Sequence, residues 1–480
     1  MALVSPVDPV SPDDLGRVHF IAIGGAGMSG VARLLLARGV AVSGCDSAPS
    51  AQLDELAALG ARVCTGHSAA HLDEIDTVVV SSAIRPANPE LVAARERGLR
   101  VLHRAAALAS VMLGRTSVAV AGTHGKTTTT SMITTVLRHC GADPAYVIGG
   151  ILAETGLGAA DGSGDLLVAE ADESDGSFLN LAPDAAVVTC IEADHLDNYG
   201  SLAEIEAAFE AFAARITPGG MLVTGADDPG AARLAAAVAA RPGGPRVVGY
   251  GFGGHAGYRL GAVLAAGMTT EFDLTPPTGR GPGAGPVRLR IAVPGRHNAL
   301  NAAAAYATAV ELGFPPAAVA AGLARYSGAK RRMEPKGGAD GVRVLDSYAH
   351  HPTELAADLA AARDVADGGR VIAIFQPHLY SRTRIFAAQF GAALGYADEV
   401  FVLDIYAARE DPEPGVTGAI VARAVPGGGA VFWPDPAGLP AAIADLAKPG
   451  DVVLTMGAGD VTRLGPLIVE ALRRRADGGG

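Results

Sequence analysis

The chain has 480 residues, of which 49% are hydrophobic and 18% charged, a composition that excludes a disordered chain and predicts about two to four globular domains. A formal net charge of −12 argues against a nucleic-acid binder acting through bulk electrostatics, which needs a concentrated basic surface. The N-terminal MALVSPVDPVSPDDLG lacks the basic and apolar regions of a leader, no apolar run is long enough to span a bilayer, and Cys45, Cys64, Cys140 and Cys190 have no C-x-x-C spacing. The expectation is a cytoplasmic protein with no membrane contact, no disulfide framework and no zinc knuckle.

In chain order, a proline-rich tail over about residues 1–16 is expected to be disordered. Val18 to Ile23 then reads as a buried strand that runs into Gly24-Gly25-Ala26-Gly27-Met28-Ser29-Gly30 and a helix to Arg38. Gly25, Gly27 and Gly30 satisfy G-x-G-x-x-G, and a second strand, Ala41 to Cys45, ends at Asp46. This is formally a dinucleotide fingerprint, but the loop specifies only a diphosphate at a helix N-terminus, which a UDP-sugar also carries. Further strand–helix units follow, with a strand Thr77 to Ser81 and a Ser82-Ala83-Ile84 turn. The first ~110 residues read as a small open parallel sheet. His67, alone after a glycine, reads as a surface histidine.

A second α/β unit starts near Thr116, where VAVAGTHGKTTTT takes a strand through Gly122, Thr123, His124 and Gly125 and delivers Lys126, Thr127 and Thr128 onto a helix. Unpartnered backbone N–H groups at a helix start, glycines that let oxygen approach, and a lysine make a phosphate cradle. The strict Walker pattern wants glycine where this chain has Val120, so the match is a shortened variant. The strand Leu166 to Ala169 ends in Glu170-Ala171-Asp172-Glu173-Ser174-Asp175, and the strand Ala185 to Ile191 ends in Glu192-Ala193-Asp194-His195. Acid and imidazole at two strand ends beside a phosphate loop suggest two metal ions; a solvated acidic loop is the bland alternative.

From Arg241 to Pro294 the Gly and Pro clusters predict twisted hairpins and loops. Asn298 and Asn301 lie three apart near the start of an alanine-rich helix, placed either to cap it or to read a planar base. A third unit begins near Ser327 with Lys330-Arg331-Arg332, and strands at Val342, Val371, Glu399 and Val452 alternate with helices. Asp346, Tyr348, His350 and Arg382 follow buried strands, at the edge where open parallel sheets bind ligands.

Two readings of different class compete on these residues. A nicotinamide-dependent oxidoreductase follows from G-x-G-x-x-G plus Asp46 but leaves the Lys126 loop and both acidic strand ends unexplained. A nucleotide-driven motor or switch uses the Lys126 loop alone.

Taken together, GGAGMSG, AGTHGKTTT, EADESD, EADHLDNY, GRHNALNAAAA, DSYAHHPTE and FQPHLYSRTR resemble, in order and spacing, the motifs of the Mur ligases, over about residues 18 to 460. Within that family the first and sixth motifs point to the member that adds L-alanine. The resemblance implies an α/β protein of three domains: a Rossmann-like UDP-sugar domain over 1–113, a central P-loop ATPase with a parallel sheet and a small β region over 114–327, and a Rossmann-like amino-acid domain over 328–480. It implies an ATP-dependent, Mg²⁺-assisted ligase that joins L-alanine to the lactyl carboxylate of UDP-N-acetylmuramate through an acyl phosphate, acting as a monomer or weak homodimer. Lys126, Glu170, His195 and Arg332 would then be catalytic, with Thr127, Glu170 and His195 on metal. Gly122 to Thr128, Asn298, Asn301, Arg331 and Asp346 would bind ATP. Gly25, Ala26, Gly27, His67, Ser81 and Ser82 would line the UDP-sugar cleft, and Tyr348, His350 and Arg382 the alanine pocket. The sequence departs from the family at Leu379, where many members carry arginine, and at Ser347, where aspartate is common.

Overall fold

The computed structural model describes residues 3–279, 285–408 and 410–478. The fold is a three-domain α/β arrangement with three sheets. It divides into two compact units, one of Met1–Gly261, Leu274–Val287 and Leu300–Arg325, the other of Ala262–Asp273, Arg288–Ala299 and Tyr326–Gly480.

The first unit opens with a five-stranded sheet of β1 (Val18–Ile21), β2 (Val42–Asp46), β3 (Arg62–Thr65), β4 (Thr77–Val80) and β5 (Arg100–His103), in the order β3-β2-β1-β4-β5. All its pairs are parallel. The fully buried run of β1 and the half-exposed β3 show why β1 was legible and β3 was not: RVCT has neither a continuous apolar run nor a clean alternation.

The second sheet of this unit contains β6 (Thr116–Ala121), β7 (Ala145–Val147), β8 (Ala159–Ala160), β9 (Leu166–Glu170), β10 (Ala185–Val188), β11 (Met221–Gly225) and β12 (Arg246–Gly251), in the order β12-β11-β10-β6-β9-β7-β8. Only the β7/β8 edge is antiparallel within this run. In register, Val120 stands beside Glu170 and Ala121 beside Val188, so β6, β9 and β10 release their loops at one edge. Strands Tyr258–Ala266 (β13), Thr269–Thr275 (β14) and Val287–Ile291 (β15) occupy the stretch read as hairpins, and residues 280–284 of that reading lie outside the described residues.

Two expectations change here. The tail is not free: Val4 N donates to Asp175 O at 2.8 Å, Val7 N donates to Asn180 Oδ1 at 3.0 Å, and Leu15 is fully buried. A proline-rich stretch with interspersed valines and leucines has little helix or strand propensity but enough apolar surface to dock. Nor does packing break at residue 113, because one hydrophobic core runs from Val18, Phe20 and Leu34 through Val111 and Met112 to Ala119, Ala145 and Leu167. Gly30 makes the junction possible, since a Cβ there would come within 3.1 Å of Ala159 and 3.3 Å of Val147.

The second unit holds a six-stranded sheet of β16 (Glu334–Ala339), β17 (Val342–Ser347), β18 (Val371–Phe375), β19 (Glu399–Val402), β20 (Ala430–Phe432) and β21 (Val452–Met456), in the order β16-β17-β21-β18-β19-β20. Apolar side chains of β17, β18 and β21 feed cores on both faces, as a parallel sheet covered by helices requires. β16 is the antiparallel edge, with a bulge between Pro335 and Gly337, consistent with proline being confined to edges and bulges.

Candidate active site

Gly122 leaves β6 at φ 130°, and a Cβ there would lie 2.1 Å from Thr189 Oγ1 and 2.9 Å from Thr189 N, so only glycine fits. Thr189 in turn donates to His124 O. Gly125 caps the helix Lys126–His139 in the left-handed region, with no side chain of its own to fill the space before the first turn. The turn therefore delivers Lys126 onto the positive end of a helix 14 residues long. A Cβ on Gly125 would stand 2.6 Å from Asn301 Oδ1, and Thr129 Oγ1 donates to the same oxygen at 3.2 Å. Asn301 is thus packed against the loop.

Lys126 folds back over the turn, donating to Gly122 O at 2.7 Å and Thr123 O at 3.1 Å and pairing with Glu173 Oε1 at 2.8 Å. Burial by itself lowers the lysine, but the carboxylates of Glu173 and Glu170 outweigh it and hold the ammonium above its ordinary range. Burial also pushes the Glu173 carboxyl up to about 7, against the pull of Lys126. Glu170 Oε2 accepts from Gly149 N at 2.8 Å, while Gly150 sits so close to Thr127 that a Cβ would come within 2.9 Å of its Cγ2. The Gly149–Gly150 loop therefore brings Glu170 and Thr127 to one place. His195 stands at φ 51°, with Nε2 at 3.8 Å from Glu173 Oε1 and 3.5 Å from Asp194 Oδ2.

Glu173 is the residue that sequence reasoning passed over in favour of Glu170. Both lie in the acidic strand end, but Glu173 is the buried one, and Tyr199 Oη donates to its main-chain oxygen. Glu173 Oε2 is buried with no hydrogen-bond partner. An orphaned carboxylate oxygen on Glu173, with the Glu170 carboxylate also acting on Lys126 and Thr127 next in the chain, makes a hard, oxygen-rich donor set, which fits Mg²⁺.

On the N-terminal sheet, Gly24 N donates to Asp46 Oδ2 at 3.0 Å, and Gly25 caps the helix Ala26–Ala37. Above Gly27 lies Arg104, whose Nη1 would be 2.2 Å from a Cβ at that position and whose Nη2 pairs with Asp172. Arg104 opens the alanine-rich helix Arg104–Met112 and was not singled out by motif. Its signal was only its place, the first residue after a parallel strand. Ser82 Oγ donates to Asp175 and lies 3.2 Å from His103 Nε2, which ties the Ser81-Ser82 turn to the acidic loop. His67 is not a solitary surface histidine, since Nδ1 lies 3.1 Å from Glu90 Oε2 and 3.0 Å from Cys45 Sγ.

In the second unit the Tyr348 ring lies beneath two guanidinium groups, Arg331 at 4.9 Å and Arg332 at 5.3 Å from its centroid, with His350 edge-on at 5.3 Å. Arg331 is held by the sheet: Nη2 donates to Gly457 O at 2.5 Å and Nε to Asp346 Oδ2 at 3.3 Å. Arg332 Nη1 lies 3.8 Å from Glu354 Oε1. Asp346, which the resemblance assigns to the ATP site, is enclosed by its neighbours. It is fully buried and accepts from Thr455 Oγ1 and Thr462 Oγ1, each at 2.7 Å, so it anchors Arg331 instead of facing a ligand. Arg331 is likewise spent on Asp346 and main-chain oxygens. Arg382 is buried on the helix Tyr380–Leu394, and Asn298, inside the helix Arg296–Glu311, donates from Nδ2 to Pro294 O at 2.7 Å.

Residues 17–116 match the family described as "Mur ligase family, catalytic domain", residues 120–309 the "Mur ligase middle domain", and residues 331–459 the "Mur ligase, glutamate ligase domain". The chain belongs to the Mur ligase family. It is 58% identical over 480 residues to a UDP-N-acetylmuramate–L-alanine ligase of Thermobifida fusca, covering 98% of this chain and all of that one. It is 57% identical to the protein of the same name from Kineococcus radiotolerans, over 96% of this chain and 97% of the relative. The crystal structure of a UDP-N-acetylmuramate-alanine ligase from Thermotoga maritima superposes with a TM-score of 0.77 at 29% identity, covering 97% of this chain and all of that one.

Proposed function

We propose that the chain is an ADP-forming ligase of peptidoglycan precursor synthesis that joins L-alanine to the lactyl carboxylate of UDP-N-acetylmuramate. The observation that carries the chemistry is Lys126 on the first turn of a 14-residue helix, paired with Glu173 and close to the Glu170 carboxylate at the Gly122–Thr128 turn. Relatives identical at more than half of their residues supply the substrates.

The lactyl carboxylate attacks the γ-phosphorus of ATP, the bond to the β-phosphate oxygen breaks, and ADP leaves. The amine of L-alanine then attacks the acyl carbon, and inorganic phosphate departs with its bonding pair. An amine cannot displace oxide from a carboxylate, so phosphorylation supplies the leaving group. Lys126 exchanges its contacts with Gly122 O and Thr123 O for phosphate oxygens and stabilises the transferring group. Thr127, Glu170, Glu173 and His195 would hold Mg²⁺, which when bound supplies the positive charge that lets two anions meet. Arg332, which precedes the apolar Met333 as the family's arginine does, would serve the phosphates. Arg104, Gly25, Gly27 and Ser82 serve the UDP-sugar diphosphate, and Tyr348, His350 and Arg382 the amino acid, with Arg382 on its carboxylate. The functional domains are 1–113, 114–327 and 328–480, the first two built on one shared hydrophobic core, and the enzyme works in the cytoplasm as a monomer or weak homodimer. Among the described residues no helix is long and apolar enough to cross a membrane.

Phosphate release measured with each substrate omitted tests this reading. Turnover should require ATP, UDP-N-acetylmuramate and L-alanine together. Release without the UDP-sugar, or a tripeptide preferred to L-alanine, would overturn it.

A further inference from the structure

On the face of the N-terminal sheet away from the large core, four side chains of metal-ligating type converge: His19, Cys45, His71 and Glu90, with one donor atom of each within 4.8 Å of all the others. Parallel register pairs His19 with Ser43 and Ile21 with Cys45, so His19 and Cys45 rise from neighbouring strands onto the same face. His71 comes from the short helical turn Ala69–Leu72, and Glu90 from the first turn of the helix Pro89–Glu96. Glu90 and Cys45 are fully buried and His19 is 1% exposed. Nothing in the ligase chemistry uses this cluster.

The hydrogen bonds define which atoms face inward. Ser43 Oγ is placed to donate to Val18 O at 3.4 Å and lies 2.9 Å from His19 Nδ1. Nδ1 is thus engaged by Ser43, and Nε2 is the ring nitrogen left to face the cluster. That atom is buried, has no hydrogen-bond partner, and points at Glu90 Oε1 from 3.6 Å. A buried imidazole nitrogen and a carboxylate that face each other without a hydrogen bond leave a place for a positive charge between them. Around the same point Cys45 Sγ is 2.8 Å from Glu90 Oε2, and His71 Nδ1 is 2.6 Å from Glu90 Oε1.

We propose that His19, Cys45, His71 and Glu90 form a binding site for one divalent cation of the zinc class. Two imidazoles, a thiolate and a carboxylate are the donor types that Zn²⁺ takes in four-coordinate sites, and the two anionic ligands balance its charge. Binding releases the Cys45 thiol proton to solvent. Ser43 orients the ligating ring through its other nitrogen, and Ser68 N holds Glu90 Oε1 at 3.2 Å, the outer contacts that structural metal sites carry. His67, against both Cys45 and Glu90, closes the cluster toward solvent. The ion fastens the end of β2, from which Asp46 holds the Gly24 turn.

The test uses full-length protein stripped of metal by a chelator and titrated with Co²⁺ as a coloured substitute for Zn²⁺. One equivalent should develop a thiolate-to-cobalt charge-transfer band with tetrahedral ligand-field bands, and one equivalent of Zn²⁺ should bleach both. Co²⁺ at the oxygen and imidazole donors of the ATP site gives no thiolate band. Cys45→Ser should abolish that band, and His71→Ala, at a partly exposed position, should weaken Co²⁺ binding about 10-fold or more. Absence of a thiolate band in the wild type, or a band undiminished in Cys45→Ser, overturns the proposal and leaves a hydrogen-bonded network around Glu90. Should Cys45→Ser fail to fold, X-ray absorption on zinc-loaded wild type decides: one sulfur in the first shell supports the site, and a shell of nitrogen and oxygen alone refutes it.

Discussion

Gly24 to Gly30 after β1 and Gly122 to Gly125 after β6 both carry a parallel strand into a helix, and both read as phosphate turns. Their glycines are there for different reasons. Gly122 and Gly125 stand at φ 130° and 80°, whereas in the first turn the left-handed residue is Ala22, at φ 63°, and Gly25 sits at φ −62°. Gly27 is instead a matter of clearance beneath Arg104. The second turn is shaped by backbone conformation and carries its own cation, Lys126. The first is shaped for close approach from above and borrows its cation from a later helix. A diphosphate that is only held needs the second arrangement less than a phosphoryl group that must be transferred.

The largest effect that separates the two turns is expected from Lys126→Ala, which should cut phosphate release by about 10³-fold or more while UDP-sugar binding by calorimetry stays near wild type. Equal loss of both would erase the distinction. Gly122→Ala combines a conformation alanine resists with a clash against Thr189, and should cost about 2–4 kcal/mol in urea unfolding. An intact midpoint would show the turn to be more compliant than its geometry implies.

The carboxylate beneath the second turn gives a pH signature. Glu173, raised from 4.5 to about 7, favours the fold while protonated. Its contribution is therefore complete below about pH 4.5 and disappears as pH rises through about 7, a change on the order of 3 kcal/mol or less in metal-free protein. Glu173→Gln should flatten that slope in denaturation midpoints taken from pH 5 to 8, and an unchanged slope would locate it elsewhere. For the first turn, Arg104→Ala should raise KM for the UDP-sugar about 10- to 100-fold with KM for ATP little changed, the size of a charged phosphate contact. The smallest effect belongs to Gly25→Ala. A Cβ there meets nothing closer than 3.5 Å, so stability should move by no more than about 0.5 kcal/mol, and any loss of UDP-sugar binding then measures how near the ligand comes.

What could be read from the sequence follows the same division. The Gly122–Thr127 turn, Glu170 and the buried parallel strands are local patterns, with apolar run, glycine and charge lying next to one another in the chain. Glu173, Arg104 and Glu90 were not legible as site residues because their partners are 47, 68 and 19 or more residues away, and nothing local distinguishes Glu173 from Glu170. The edge strand β16 was missed because Pro335, Gly337 and Gly338 hide its alternation. Asp346 misled for the converse reason: a motif position predicted a ligand contact, while Thr455 and Thr462, supplied from over a hundred residues later, enclose it.

The docked N-terminal segment bears on how this enzyme should be handled. Leu3 packs on Gly176, where a Cβ would meet it at 3.3 Å, and Val4 is bonded to Asp175. These residues belong to the same short loop that presents Asp172 to Arg104 and Glu173 to Lys126. An affinity tag or fusion partner joined ahead of Leu3 would pull directly on the segment that positions both cations, so kinetic constants from such a preparation would report the fusion along with the enzyme. A tag at the carboxyl end, after the helix Leu464–Gly478, leaves that loop untouched.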